Sequence, residues 1–172
     1  MNISLAIPTV QFAESLSVLA AKSFYESHRT SADIVDLKLY AEGAYTIAQF
    51  EKELADTQNI FRAAFVNQTL AGYSKIIPNC THEGIPEENV CKMERLYVLE
   101  EFLPNKVGQL LFDECISLAK AAQQSGIWLN VWTGNLRAIR FYEKMGFVKV
   151  GDTMFKLSER HSNPNYLIWK AL

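Results

Sequence analysis

Residues 135–147 read Asn-Leu-Arg-Ala-Ile-Arg-Phe-Tyr-Glu-Lys-Met-Gly-Phe and carry the most specific pattern in this 172-residue chain. The Asn135 side chain can cap a helix, because its oxygen accepts a hydrogen bond from an amide of the first turn. Apolar residues then recur at helical spacing, and Gly146 stands where a helix commonly ends in a left-handed residue. The stretch therefore predicts a capped amphipathic helix.

Tyr142 lies about two turns after Asn135, on the same face of this helix. Its phenol has an ordinary pKa near 10, so at neutral pH it is a proton donor. The alternative is that Tyr142 fills the core of a purely structural helix, as we expect of Phe141 and Phe147. The residues alone leave both interpretations of Tyr142 open.

A second helix start, near Lys106, has features of an anion site. It follows a predicted strand, so its free amides and the helix dipole suit a pyrophosphate. Gly108 would allow a ligand close to the backbone, and Lys106 adds positive charge where a structural helix favours an acidic residue. The alternative is an ordinary helix start with Pro104 and a tolerated glycine.

The remaining periodicity predicts an α/β (α+β) fold in a single domain spanning residues 1–172. Predicted strands are 2–8, 60–66, 69–77, 91–99, 127–131, 147–155 and 166–169. Predicted helices are 12–24, one or two within 30–56, 106–122 and 135–145. Asn67-Gln68 favours a hairpin, and the helical crossover from 91–99 to 127–131 makes those two strands parallel. The result is a mixed, mostly antiparallel sheet of about seven strands.

Composition excludes several classes of function. The chain is 49% apolar and 21% charged, with a net charge of -2, so nothing points to nucleic acid or an anionic membrane. Its three cysteines lack CxxC spacing and its three histidines are scattered, so we expect no disulfide framework and no metal. Without a basic leader or a run of ~18 apolar residues, a cytoplasmic enzyme or binding domain is expected.

The pattern N-x-x-A-x-x-F-Y-E-K-x-G-F at 135–147 resembles the second motif of the GNAT superfamily of acyl-CoA N-acyltransferases. The order of strands and helices fits along essentially the whole chain. The resemblance implies helices on both faces of the sheet and two parallel strands, 91–99 and 127–131, that splay apart. The first motif departs from the usual Q/R-x-x-G-x-G/A, because Leu103 and Lys106 replace the basic or amide residue and the first glycine.

The resemblance also implies acetyl-CoA as cosubstrate, without a metal. The pantetheine arm would pair with main chain near Tyr97 and Val98, and the pyrophosphate would lie over residues 106–110. The predicted coenzyme-binding residues are Tyr97, Val98, Asn105, Lys106, Val107, Gly108, Gln109, Leu110, Asn135 and Lys144.

The chemistry requires a neutral amine, and at pH 7 deprotonating an alkylammonium group costs about 4–5 kcal/mol. Glu94 is the candidate base, since it borders the gap and strand alternation places it on one face with Leu96 and Val98. Its alternatives are binding a cationic amine or pairing with a surface lysine. Tyr142 would protonate the departing thiolate, and the Val98 amide would stabilise the oxyanion. Direct attack in a ternary complex needs no enzyme nucleophile.

Several segments look like those of PaiA-type spermidine/spermine N-acetyltransferases, which implies a small polyamine as acceptor. These segments are 24–56, 71–73, 93–97, 127–132 and 167–172. The acceptor site is expected from 24–45, the hairpin loop and 155–165. Asp33, Asp36 and Glu42 could hold a polyamine by charge, or simply form a solvated helix face. Alternative functions are protein or peptide N-acetylation and a non-catalytic acyl-CoA-binding regulatory domain. A homodimer is suggested by analogy alone.

Overall fold

The computed structural model describes residues 2–172, which form one seven-stranded sheet, five α-helices and two short 3-10 helices. The strands are β1 (Ile3–Ala6), β2 (Ile60–Val66), β3 (Thr69–Ile77), β4 (Val90–Val98), β5 (Gly126–Trp132), β6 (Val148–Lys156) and β7 (Ser162–Ala171). The helices are α1 (Ala13–His28), α2 (Ile34–Ala44), α3 (Ile47–Ala55), α4 (Val107–Ala121) and α5 (Leu136–Lys144). The 3-10 helices are Val10–Phe12 and Glu100–Asn105.

The sheet has the order β1-β2-β3-β4-β5-β7-β6. Its pairs are antiparallel except for β4 with β5, which is parallel. The predicted mixed, mostly antiparallel sheet is therefore confirmed. The hairpin between β2 and β3 is also where it was predicted, because Asn67 and Gln68 adopt the positive φ angles, 47° and 71°, that a tight two-residue turn requires.

Strand β7 is longer than the sequence suggested. It begins at Ser162 rather than Tyr166 and includes Pro164. A proline cannot donate to a ladder, so the prediction started the strand after it. Here Pro164 lies near the beginning of the strand, where its carbonyl still accepts a hydrogen bond from the Thr133 amide at 3.0 Å.

Helices cover both faces of the sheet, as predicted. Helices α1, α2 and α3 bury Leu16, Phe24, Leu37 and Phe50 against one face. Helices α4 and α5 pack on the opposite face, where Phe112 and other apolar side chains join a second cluster. None of the helices within residues 2–172 is long and apolar enough to cross a membrane.

Strands β4 and β5 are paired only over their first residues. The register joins Val90–Lys92 to Gly126–Trp128 and then stops. On its other side, β4 pairs Arg95 with Lys75 but Met93 with Ile76, so Glu94 is an extra residue in a β-bulge. A bulge bends its strand and increases the local twist. The two parallel strands therefore open into a gap beyond Lys92, which confirms the predicted splay.

The same bulge overturns one prediction about Glu94. Strand alternation placed its side chain on one face with Leu96 and Val98. Those two residues pack towards α4, whereas the Glu94 carboxylate contacts Lys75, which is itself paired with Glu53 of α3. The extra residue shifts the alternation, so Glu94 faces the side of the sheet that carries α1–α3.

Candidate active site

The gap between β4 and β5 holds a cavity of about 740 Å³. Its walls come from the open ends of both strands, from α1 and α2 on one face of the sheet, and from α4 and α5 on the other. Nine predicted site residues line it: Glu94, Tyr97, Val98, Lys106, Gly108, Gln109, Asn135, Tyr142 and Lys144. Most of the site residues that were predicted from the sequence therefore lie at this cavity.

Three predicted coenzyme-binding residues do not line the cavity. Asn105 ends the 3-10 helix before α4, and Leu110 lies on the partly exposed side of α4. The side chain of Val107 is fully buried with Ala64 and Ala71 in the core. Val107 can therefore contribute only its backbone amide to a ligand.

The first turn of α4 offers free amides. In an α-helix that begins at Val107, the amides of Val107, Gly108 and Gln109 lack intrahelical acceptors. The preceding residue, Lys106, has a left-handed backbone with φ of 58°, and its side chain makes no capping hydrogen bond. Such a turn can bind an anion through its backbone and the helix dipole.

Cationic side chains share the cavity with this turn. Lys106, Arg137 and Lys144 line the cavity, and none of the three forms an ion pair within residues 2–172. Three unpaired cations suit a ligand with several phosphate groups. The sequence analysis missed Arg137. Its position in the first turn of α5 could have indicated a ligand. A positive charge there is unfavourable next to the positive end of the helix dipole, as it is at Lys106.

The predicted cap and phenol of α5 are both in place. The Asn135 Oδ1 atom accepts a hydrogen bond from the Ala138 amide at 3.1 Å. Tyr142 is 8% exposed, and its ring lies 5.3 Å from that of Phe141 and 5.4 Å from that of Phe147. Burial raises the pKa of Tyr142 well above its ordinary value. The phenol therefore combines core packing with a protonated hydroxyl at the cavity.

Glu94 is held by two lysines. Its carboxylate oxygens lie 2.5 Å from Lys75 Nζ and 3.4 Å from Lys92 Nζ. Burial favours the neutral acid, but the hydrogen bond to Lys75 and the positive charges of Lys75, Lys92 and Arg95 outweigh it and lower the pKa of Glu94. Of the alternatives for Glu94, pairing with a lysine fits this geometry, although Lys75 is buried rather than at the surface.

Aromatic side chains span the gap on the side of α1–α3. We call Tyr97, Tyr45, Phe24, His28 and Trp132 the aromatic arc. Successive ring centroids along it are 6.1, 5.6, 4.4 and 5.5 Å apart. The arc starts at Tyr97 on β4 and continues through Tyr45, which directly follows α2. It then includes Phe24 and His28 of α1 and ends at Trp132 of β5. All five side chains line the cavity. The arc therefore forms the wall of the cavity on the side of α1–α3. Sequence analysis assigned the region 24–45 to the acceptor site but did not single out His28 or Trp132.

The acidic residues proposed to hold a polyamine lie elsewhere. Asp33 caps α2 by accepting a hydrogen bond from the Val35 amide at 2.8 Å, and Asp36 pairs with Arg160 at 3.1 Å. Glu42 lies in a separate groove between α1 and α2. None of these three carboxylates lines the cavity between β4 and β5, so this geometry does not support the alternative in which they hold a polyamine.

Solved structures share this architecture. The PaiA N-acetyltransferase from Thermoplasma acidophilum, crystallised with coenzyme A, superposes with a TM-score of 0.82 at 20% identity, covering 100% of both chains. Arabidopsis thaliana NAA60, in complex with a bisubstrate analogue, gives a TM-score of 0.73 at 19% identity, covering 99% of this chain and 98% of that one.

Sequence comparisons agree. An uncharacterized N-acetyltransferase of Mycobacterium tuberculosis is 22% identical over 156 residues, which cover 91% of this chain and 96% of its relative. The profile of the Acetyltransferase (GNAT) family matches residues 19–147, which is most of the chain. As the 135–147 motif predicted, the chain belongs to the GNAT family of acetyltransferases.

Proposed function

We propose that this protein transfers an acetyl group from acetyl-CoA to a small primary amine, by direct attack in a ternary complex. The observation that carries the proposal is the position of Tyr142 in a cavity that is also lined by the first turn of α4 and by three cations that form no ion pair within residues 2–172. The amides and Lys106, Arg137 and Lys144 would hold the phosphates. The solved relative from Thermoplasma acidophilum was crystallised with coenzyme A, which supports the same ligand here.

Backbone direction supports the assignment of the oxyanion donor. Amide groups alternate in direction along a strand. The Leu99 amide donates to Ala71 on the β3 side at 3.0 Å, so the Val98 amide points the other way, into the gap. There it can donate to the thioester oxygen as negative charge develops on it. Tyr142, whose phenol is protonated at neutral pH, would then give its proton to the departing thiolate.

The aromatic arc favours a small acceptor. The aromatic arc covers the gap on the side from which an amine would approach, and aromatic faces attract ammonium groups. Spermidine or spermine, implied by the resemblance to PaiA-type enzymes, stays our preferred prediction. The carboxylates that remain at the cavity are Glu26, Glu94 and Glu100.

A thiol-release assay with acetyl-CoA tests the function across polyamines, amino acids, aminoglycosides and peptides. We expect release with small primary amines and the highest kcat/KM with a polyamine. A higher kcat/KM with peptides than with small amines would mean that the acceptor is a protein. Tight acetyl-CoA binding with no release from any amine would make the protein a non-catalytic acyl-CoA-binding domain.

The Tyr142→Phe variant tests the proton donor. Removing one hydroxyl should lower kcat about 100-fold, in the range expected for loss of a general acid, while the Kd for acetyl-CoA stays near that of the wild type. Stopped-flow thiol release and calorimetric titration measure the two quantities. Tyr166→Phe is the matched control, because Tyr166 lies on β7 outside the cavity. An unchanged kcat in Tyr142→Phe would remove Tyr142 from the chemistry.

A further inference from the structure

The aromatic arc contains one imidazole ring, that of His28, which lines the cavity. His28, the last residue of α1, lies with its ring centroid 4.4 Å from that of Phe24 and 5.5 Å from that of Trp132, at interplanar angles of 21° and 25°. The His28 ring is therefore stacked between Phe24 of α1 and Trp132 at the open end of β5. Because Tyr97 at the other end of the arc belongs to β4, the imidazole lies between the two splayed strands, on the side of α1–α3.

The contacts of the ring favour one tautomer of this imidazole. The Nδ1 atom lies 3.1 Å from the Phe24 carbonyl oxygen, which can only accept, so this contact is a hydrogen bond when Nδ1 carries the hydrogen. The Ser27 hydroxyl lies 2.8 Å from Nδ1, and it can donate its own hydrogen to the carbonyl of Ser23 at 2.9 Å. A neutral ring with a hydrogen on Nδ1 has a free lone pair on Nε2. Both of these contacts of the ring are made by Nδ1.

We propose that His28 is the base that removes the proton from the acceptor amine. This inference rests on the proposed acetyl transfer. The amine nitrogen attacks the thioester carbon and forms the C–N bond, which leaves the nitrogen positively charged. Nε2 of His28 takes the extra proton from that nitrogen and becomes imidazolium. The C–S bond then breaks, the sulfur receives the proton of Tyr142, and solvent restores the protonation of both side chains. The products are the N-acetylated amine and free coenzyme A.

The alternative base, Glu94, is less suited to this step. Its carboxylate is already bound by Lys75 at 2.5 Å and by Lys92 at 3.4 Å, so an amine would have to compete with two cations. His28 forms no ion pair within residues 2–172, and burial lowers its pKa, which keeps the ring neutral at pH 7. The ordinary pKa of an imidazole, about 6.5, also lies above that of a glutamate carboxyl, about 4.3.

The test compares kcat for His28→Gln, His28→Phe and Glu94→Gln with the best amine from the panel. Loss of the base should lower kcat about 100-fold in His28→Gln, with an unchanged KM for acetyl-CoA. His28→Phe keeps a ring between Phe24 and Trp132 and should be equally slow. A merely structural role for the stacked ring predicts normal kcat in His28→Phe. Glu94→Gln should retain more activity than either His28 variant.

His82→Gln is the matched control. His82 also packs on a tryptophan, with its ring 4.9 Å from that of Trp128, but it does not line the cavity. Its kcat should equal that of the wild type. If wild-type protein releases no thiol with any amine, the proposed function fails and this inference with it. If wild-type protein is active and His28→Gln matches it, only the assignment of the base is overturned.

The pH profile provides a readout that packing would not move. Below its pKa the imidazole is charged and cannot accept a proton, so wild-type kcat should fall on an acidic limb with a midpoint below 6.5, and His28→Gln should lack that limb. The ring contacts Phe24 and Ser27 of α1 and Trp132 of β5. The charged side chains that share the cavity with it are Glu26, Lys92, Glu94, Arg95, Glu100, Lys106, Arg137 and Lys144. Retention of the limb in His28→Gln would assign it to one of these.

Nitrogen-15 NMR of the side chain checks the tautomer without any acceptor. At pH 7.5 we expect a hydrogen on Nδ1 and an unprotonated Nε2 in His28. A hydrogen on Nε2 would overturn the proposal, whatever the activity measurements show.

Discussion

Lys106 occupies a backbone conformation that disfavours its own side chain. Its φ of 58° is left-handed, and it stands where the first motif of the family usually has glycine. For a residue with a Cβ this conformation costs about 1–2 kcal/mol. The same residue adds a positive charge beside the free amides of α4. We infer that the chain exchanges some stability for a cation at the phosphate turn.

Replacing Lys106 by glycine should separate the two effects. Relief of strain worth about 1 kcal/mol should raise Tm by roughly 2–4 °C for a chain of this size. Loss of the charge should weaken acetyl-CoA binding, and more at low than at high salt, because salt screens the interaction. Calorimetric unfolding and titration at two salt concentrations measure both. Gln68→Gly, at φ of 71° in the β2–β3 hairpin, should raise Tm without changing affinity. A Kd for acetyl-CoA equal to that of the wild type at both salt concentrations would exclude the phosphate role of Lys106.

Short-range patterns predicted some site residues and missed others. Asn135 and Tyr142 lie within one helix, so helical periodicity alone relates them, and both line the cavity. His28 and Trp132 are far apart in the chain. Only the packing of α1 over the open end of β5 brings their rings to 5.5 Å, and no local pattern contains that information.

Helix α3 is attached to the sheet by a buried ion cluster. Glu53 of α3 accepts hydrogen bonds from Arg95 at 2.7 and 3.0 Å and pairs with Lys75 at 3.1 Å. The side chains of Glu53, Arg95 and Lys75 are 9%, 12% and 6% exposed. The cluster thus ties α3 to β3 and β4 beside the bulge at Glu94. Burial opposes the charge on Glu53, but the bonds to Arg95 and Gln49 prevail and lower its pKa.

Glu53→Gln should therefore destabilise the protein by about 3 kcal/mol, since it leaves the buried Arg95 without its carboxylate partner and Lys75 with Glu94 alone. Because the folded pKa of Glu53 lies below its ordinary value, its stabilising contribution is complete above pH 4.5 and is lost as pH falls through the folded pKa. As the pH falls through this acidic range, the free energy of unfolding should decrease less in Glu53→Gln than in the wild type. Urea unfolding across pH 3–7 measures this. Glu51→Gln, exposed on the same helix, should behave like the wild type.

Elements differ in how far local sequence determines them. The limits of β2 and β3 follow from alternation and a two-residue turn, so the prediction matched them. The bulge in β4 depends on the register between Lys75–Ile76 and Met93–Arg95. A shift of one residue between two strands leaves no mark on the periodicity of either strand, and the facing of Glu94 was therefore predicted wrongly.

The two halves of the sheet share few backbone hydrogen bonds. The register between β4 and β5 contains three residue pairs, whereas β5 and β7 pair along seven. Side chains compensate for the short contact. One apolar cluster joins Ile76 and Cys91 of β3 and β4 to Ile127 and Leu129 of β5, with Phe112 of α4 among them. This continuous core predicts that residues 1–172 unfold as a single domain.

Two spectroscopic probes can test that prediction, because the three tryptophans, Trp128, Trp132 and Trp169, all lie in β5 and β7. Tryptophan fluorescence reports the half of the sheet beyond the gap, and far-UV circular dichroism reports all helices and strands. In urea the two midpoints should coincide, as for a two-state domain. Acetyl-CoA at about 100 times its Kd should stabilise both equally, by about 2.7 kcal/mol. At the acetyl-CoA concentration that is 100 times the wild-type Kd, the urea midpoints of Lys106→Gly should shift less than those of the wild type, because the variant has a higher Kd. A ligand shift seen by fluorescence alone would mean that β5–β7 unfold separately from β1–β4.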